Sequence, residues 1–225
     1  KDHRAELDEA LATLLQPAPT SALGGLDRLV PTAAPRLSRE LVASLERDAG
    51  CLHELARYPE YDFFTFGHVI RVGLLTIDVL RRSGAPAHLV HRAGCAALLH
   101  DVGKSLVRWD VLHKRGPLDA DEKLEMQKHS ELGVGILLSN KESDPVAVAA
   151  ARGHHCCTCR EGERNPGYPV YPRTCGEFES GAVQQLVKIC DVFEALTAVR
   201  PYKASMTPAR AFKTMLGMNG HFDEE

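Results

Sequence analysis

Apolar residues recur along this chain at intervals of three and four, with no β alternation of any strength and no internal repeat. That pattern predicts an all-α protein. Residues 2–16 read as a short amphipathic helix with Leu7, Leu11, Leu14 and Leu15 on one side, stopped by Pro17 and Pro19. Residues 17–35, rich in Pro, Ala, Gly and Thr, read as a connector. A second helix is expected over about 38–57, capped by Ser38, with Leu41, Leu45, Leu52 and Leu55 inward and Tyr58-Pro59 closing it.

A strong helix follows over 66–82. In it His68 shares a face with Val72, Leu75 and Val79, and Gly84 ends it. Pro86 suits the first turn of the next helix, which carries Leu89, Ala93, Ala96, Ala97 and His100 and is ended by Gly103. Residues 104–118 read as a loop with short turns, including Gly116-Pro117. Asp119 with Glu122 forms a capping-box signature, and one helix is expected from there to about 140, with His129 facing the same way as Leu132, Gly133 and Ile136. Asp144-Pro145 opens an Ala/Val helix ending at His154-His155. Residues 156–178 have no period. A helix over 180–198 aligns Asp191 with Val187, Ala195 and Ala198, and Thr207-Pro208 starts a last helix to about 218.

Composition narrows the picture. The chain has 225 residues and a formal charge of −3, which argues against a general nucleic-acid binder but leaves room for a local cationic pocket. No apolar run is long enough to suggest a membrane span, and no signal peptide is visible. The chain begins at Lys1 without Met and stops at Glu224-Glu225, so a fragment or trimmed chain is expected, with room for a missing signal or further domain. Of seven cysteines, Cys156, Cys157, Cys159 and Cys175 cluster within twenty residues; the odd count speaks against a secreted disulfide framework and for the cytoplasm.

The chemistry lies on the inward faces. His68, His100, Asp101, His129, His154, His155 and Asp191 fall on five predicted helices, with Lys104 beside them. A buried His or Asp without a partner is costly, and one alone is ordinarily a hydrogen-bonded core residue. Seven together point to metal. Imidazole with carboxylate suits Fe, Mn, Zn or Ni. Seven ligands exceed one tetrahedral site, and two metals bridged by a carboxylate activate a hydroxide and neutralise a phosphoryl group. Hydrolysis of a phosphate ester is the expected reaction.

The adjacent His100-Asp101 resembles the signature of the HD superfamily of metal-dependent phosphohydrolases. The wider set resembles its HD-GYP branch, which hydrolyses cyclic dinucleotides, chiefly cyclic di-GMP. The pieces run from about residue 61 to Asp223: His68-x-x-x-Val72, Ala96 to Lys104, Lys114-Arg115-Gly116-Pro117-Leu118, Met126-x-x-His129-x-x-x-Gly133, His154-His155, Gly167-Tyr168-Pro169, Asp191 to Thr197, Arg200-Pro201-Tyr202-Lys203, and Gly220-His221-Phe222-Asp223. The resemblance implies an HD-domain helical bundle over 61–225, cut short at its C-terminal end, preceded by a helical extension over 1–60. It implies one metal held by His68, His100, Asp101 and Asp191, and another by His129, His154 and His155, with Asp101 bridging. Fe or Mn is expected first, then Zn or Ni. Catalysis falls to Asp101 and Lys104, the latter against the scissile phosphate. Tyr168, Arg200 and Lys203 would bind substrate, giving the linear dinucleotide and then GMP. A diguanylate cyclase or other signalling protein is the expected partner at the Gly167-Tyr168-Pro169 loop, with a homodimer as a further possibility and neither nucleic acid nor membrane.

The sequence also departs from that pattern. Some members use a Glu four residues before the first His to hold a third metal; Phe64 stands there, so two metals are expected. Cys156 replaces a Glu after the His pair, the loop to Gly167 is about five residues longer, and Glu194 stands for the commoner Asp. The Cys cluster fits a second metal site, a redox switch or no special role. Two alternatives stand beside the phosphodiesterase: a non-catalytic cyclic-dinucleotide sensor, and an HD phosphohydrolase acting on another nucleotide.

Overall fold

The computed structural model describes residues 63–140, 143–155, 178–198, 205–218 and 221–222. Among them there is no strand, and the all-α expectation holds. The elements are α1 (Phe63–Arg82), α2 (Ala87–Leu99), a 3-10 turn (Val102–Leu106), α3 (Trp109–Leu112), α4 (Ala120–Gln127), α5 (His129–Ser139), α6 (Pro145–Gly153), α7 (Phe178–Thr197) and α8 (Pro208–Leu216). The expected helices over 2–16 and 38–57 lie outside the described residues.

Helix α1 packs against α2 and α7. Helix α6 packs against α7, α2 and α5, while the 3-10 turn lies along α5 and α8 lies on α7. The main core is drawn from α1, α2, α6 and α7: Phe66, Ile70, Leu74, Ile77, Val90, Leu98, Val146 and Val187 among others. Small residues keep the elements close. Ala93, Ala96 and Ala97 of α2 and Ala147, Ala150 and Ala151 of α6 all belong to this core, and the two helices pack together. A smaller cluster of Phe193, Leu196, Ala211 and Met215 joins α7 to α8.

The ends of the elements follow local chemistry. Gly84, at φ +75°, closes α1 in a left-handed conformation. The amide of Ala85 donates to the Leu80 carbonyl (2.9 Å) and that of Gly84 to Arg81 (3.2 Å), so two otherwise orphaned carbonyls are satisfied. At α4 the capping box is present: the Asp119 carboxylate accepts from the Glu122 amide, and the Glu122 carboxylate from the Asp119 amide. Thr207 caps α8 and Pro208 opens it.

Three expectations need correction. The face of α1 assigned to His68 does not bury Val79, which is exposed; α1 is buried on nearly every side from Thr65 to Leu74, and Val79 lies on the last turn, past most of the core. The single helix expected over 119–140 is two, broken at Lys128 where α4 gives way to α5. The amide of Lys128 bonds back to Glu125, and the His129 ring takes the Met126 carbonyl, so the regular ladder is interrupted. Gly103 does not end α2, which stops at Leu99; it lies inside the 3-10 turn.

Helix α6 is fixed at its start by Asp144, whose Oδ1 accepts from the Val146 amide at 2.8 Å. Arg92 of α2 donates to the same carboxylate through Nε (2.7 Å) and Nη2 (2.9 Å), tying two layers together. Burial works to raise the Asp144 carboxyl, but the Arg92 and Val146 hydrogen bonds outweigh it and hold it below the usual value. Asp144→Ala is therefore expected to cost about 1–2 kcal/mol in urea melts at neutral pH. Asp144→Asn keeps the cap acceptor and should cost less. Because the folded-state pKa is depressed, the carboxylate's contribution is complete above its unfolded value of about 4 and is lost as the pH falls through the folded one. The gap between wild type and Asp144→Asn should close in acid; a gap that stays constant with pH would contradict this account.

Candidate metal centre

Five elements deliver side chains to one point. His68 and Asp191 come from the interiors of α1 and α7. His100 and His154 are the C-cap residues of α2 and α6, and Asp101 joins α2 to the 3-10 turn. His129 opens α5. Helix C-termini carry partial negative charge, which favours a cation where α2 and α6 end.

The two oxygens of Asp101 face different groups. Oδ2 lies 3.5 Å from His68 Nε2 and 3.4 Å from His100 Nε2. Oδ1 lies 3.4 Å from His129 Nε2 and 3.6 Å from His154 Nε2. His68 Nε2 is also 3.2 Å from Asp191 Oδ1. The ring of His155 packs on His154 at 4.0 Å between centroids and on His129 at 5.1 Å. Two sets have ligand atoms all within 4.8 Å of one another: His68, His100 and Asp101, and Asp101, His129, His154 and His155.

The far sides of the rings fix their tautomers. His100 Nδ1 donates to the Ala97 carbonyl (2.7 Å), His129 Nδ1 to Met126 (2.6 Å) and His154 Nδ1 to Ala150 (2.9 Å). A carbonyl only accepts, so each Nδ1 carries a proton, which leaves Nε2 as the nitrogen that faces inward and can offer a lone pair to a cation. His68 Nδ1 is held instead by Glu194 Oε2 at 2.6 Å, and Glu194 Oε1 accepts from Arg71 Nε at 2.5 Å.

This arrangement is unfinished without a cation. The Nε2 atoms of His129 and His154 face each other 3.2 Å apart, each ring having placed a proton on its Nδ1. His100 Nε2 and Asp101 Oδ1 are buried with no hydrogen-bond partner. Such atoms are costly to leave unsatisfied. Two ligands of one ion with bonds of ~2.0–2.2 Å sit roughly 3–3.5 Å apart, which matches most of these separations. The residues present therefore fit a divalent metal centre.

Electrostatics point the same way. Burial pushes His129 down to about 3, and burial with neighbouring His154 lowers His155 well below its usual value, so both rings are neutral donors. Burial works to raise Asp101, but Lys104 and His100 outweigh it and hold the carboxyl well below the usual range. Burial likewise opposes ionisation of Glu194, while His68 and Arg71 bring it down to about 2. His68 runs the other way: burial would lower it, but Glu194 and Asp191 push it up to about 9.

All seven ligand candidates converge. Lys104 is there too, its ammonium paired with Asp101 Oδ2 and partly open to solvent. Tyr168, Arg200, Lys203 and the cluster of Cys156, Cys157, Cys159 and Cys175 lie outside the described residues. Sequence reasoning missed two contributors. Glu194 was noted only as a departure, yet it stands three residues after Asp191 on the same helix. Arg71 stands three residues after His68 in an otherwise apolar run; a charge at that spacing is the signal that could have found it.

Gly103 has a steric role. A Cβ there would lie 1.9 Å from the His129 carbonyl oxygen and 2.4 Å from the Gly133 nitrogen, both backbone atoms. Only glycine lets the turn carrying Asp101 and Lys104 seat against α5. Gly103→Ala should cost at least about 2 kcal/mol in chemical denaturation and loosen metal retention at the His129 side. Glu194→Gln should weaken divalent-metal affinity roughly 10–100-fold by calorimetric titration, since Gln still accepts from His68 but no longer carries the charge that balances Arg71. Unchanged affinity would show that Glu194 only fills space.

A family model described as HD domain matches residues 61–225. A cyclic di-GMP phosphodiesterase of Pseudomonas aeruginosa is 33% identical over 192 residues, 85% of this chain and 44% of that protein. A 3′3′-cGAMP-specific phosphodiesterase of Vibrio cholerae is 35% identical over 161 residues, 71% of this chain and 29% of that protein. A response-regulator cyclic di-GMP phosphodiesterase of Xanthomonas campestris is 32% identical over 198 residues, 85% of this chain and 50% of that protein. The chain spans half or less of the length of these relatives. Among solved structures, the HD domain of the L. monocytogenes phosphodiesterase PgpH, in complex with cyclic-di-AMP, superposes with a TM-score of 0.52 at 18% identity, covering 73% of this chain and 81% of that one. That likeness is one of fold.

Proposed function

The chain belongs to the HD domain family, in its HD-GYP branch, and on that premise we propose that it hydrolyses a phosphodiester bond of a cyclic dinucleotide, cyclic di-GMP first, with two divalent metal ions. The observation that carries the reading is Asp101, a buried carboxylate with each oxygen turned to a different set of imidazoles. One carboxylate serving two sets favours two ions over one. His68, His100, Asp101 and Asp191 would hold the first, and His129, His154, His155 and Asp101 the second. The imidazole and carboxylate set suits Fe, Mn, Zn or Ni, and the resemblance to the HD-GYP branch puts Fe or Mn first.

When bound, such ions acidify water and offset charge on a phosphoryl group. The chain's residues do the rest. Glu194 holds His68 by its Nδ1, and backbone carbonyls hold His100, His129 and His154, so the ligand set is preformed. Lys104 sits at the open edge of the site, paired with Asp101. From there its ammonium would reach a phosphate oxygen and stabilise charge on it as the ester bond breaks. Tyr168, Arg200 and Lys203 complete substrate binding in this reading, Arg200 by paired hydrogen bonds to phosphate. Residues 61–225 form the catalytic domain and 1–60 a helical extension, and the Gly167-Tyr168-Pro169 loop meets a diguanylate cyclase or another signalling protein. No described helix is long and apolar enough to cross a membrane, and the proposed setting is the cytoplasm.

Protein purified without oxygen should carry about two metal ions per chain by elemental analysis, and turn over cyclic di-GMP to the linear dinucleotide. Asp101→Ala should lose both ions and at least about a thousandfold in kcat. Full-length metal-free protein that binds cyclic di-GMP tightly, with no turnover on adding Fe, Mn, Zn or Ni, would replace the enzyme reading by a sensor.

A further inference from the structure

The turn that carries Lys104 leads directly into an exposed aromatic pair. Trp109 opens α3 and is 63% exposed. On one side its ring lies against His113, with centroids 3.6 Å apart and planes 25° from parallel. His113 is held there by its Nδ1, 3.1 Å from the Trp109 carbonyl oxygen. Leu106, on the same turn as Lys104, is also exposed. What sets this indole apart from the other exposed apolar side chains is the imidazole stacked on one of its faces beside the turn that carries Lys104.

Its setting is cationic. Between 104 and 117 stand Lys104, Arg108, Lys114 and Arg115, of which Lys104 pairs with Asp101, Arg108 with Asp110 and Lys114 with Glu122, so the cations are held in place beside the ring and stay within reach of a competing phosphate. Arg108 and Lys114 are further anchored to Glu125 and Glu122 of α4, which stiffens the segment. Cations interleaved with an aromatic face are the elements by which proteins hold nucleotides: the charges follow phosphate and the ring stacks a base. The chain from Lys104 to Trp109 passes through the 3-10 turn and then extends, so their Cα atoms are at most about 13 Å apart. Both side chains can serve one dinucleotide.

We propose that Trp109, backed by His113, is a stacking platform for a purine base of the cyclic dinucleotide whose phosphate lies at Lys104. The inference rests on the phosphodiesterase reading and adds a base-recognition element to it. Trp109 holds the base and takes no part in bond breaking, so it sets affinity and leaves the chemical step alone.

Trp109 is the chain's single tryptophan, so intrinsic fluorescence reports on this position alone. Rapid mixing of the metal-loaded full chain with cyclic di-GMP should quench that fluorescence before turnover. Trp109→Ala should raise KM by roughly 5–150-fold with kcat changed by less than about twofold, and Trp109→Phe should recover most of the loss. Circular dichroism of both variants checks that the fold is kept. The platform is overturned if wild type turns over cyclic di-GMP yet shows no quench and neither variant moves KM; the phosphodiesterase reading then stands. It is equally overturned if KM holds while binding to a diguanylate cyclase is lost, which would make Trp109 a protein contact. If wild type neither binds nor cleaves cyclic di-GMP, the functional reading fails and the platform with it.

Discussion

A carboxylate removed from water must be met from every direction, and Asp101 sets that demand for the whole bundle. It is 1% exposed, sits between the end of α2 and the 3-10 turn, and presents two oxygens to two groups of imidazoles. Burial of a lone carboxylate in a low-dielectric interior is strongly unfavourable. Here the surroundings answer it with Lys104 on one oxygen and with nitrogen lone pairs that call for cations between. The helices are arranged so that their ends, more than their sides, supply those groups. An end can turn a side chain into a space that no helix fills, and the C-terminal ends of α2 and α6 add favourable partial charge.

Bringing five elements to one carboxylate requires close backbone approach, and the sequence meets this with small residues. Gly103 against the His129 carbonyl and Gly133 against the Gly103 nitrogen let the turn lie on α5. Alanines on α2 and α6 do the same between those helices. Around this shell a second layer fixes orientation: Ala97, Met126 and Ala150 carbonyls for three histidines, and the Arg71–Glu194 pair for the fourth. The carbonyls come from residues three or four positions earlier in the chain, so local helix geometry alone aims His100, His129 and His154. His68 lies in mid-helix, and its partner is 126 residues away.

That difference explains what could be read in advance. The helices, their caps at Asp119, Asp144 and Thr207, and all seven convergent ligand candidates follow from periodicity and from polar residues on apolar faces. These are local or compositional signals. Gly103 looked like a terminator because glycine commonly ends helices; its real constraint is a contact with a backbone 26 residues on, invisible to any window along the chain. The break at Lys128 was hidden because neither proline nor glycine marks it, and the interruption lies in hydrogen bonding. Val79 satisfied the period but lies where the core has thinned. Arg71 and Glu194 belong to a pair across two helices, and pairing across space is the information a lone sequence carries least of.

The same logic separates reaction from recognition. The shell around Asp101 contacts only metal and phosphate in the proposed reading, and every phosphodiester offers those. It cannot tell one base from another. Discrimination must come from groups outside the shell, which are under looser steric control. The segment after Lys104 is such a place: it leaves the 3-10 turn, its cations are tied to α4 and not to the core, and its largest side chain points to solvent. The turn itself is closed before that segment begins, by the Val107 amide donating to the Lys104 carbonyl at 3.1 Å. A buried shell joined through one capped turn to an exposed aromatic and charged segment keeps the groups that do the chemistry apart from the groups that select the ligand.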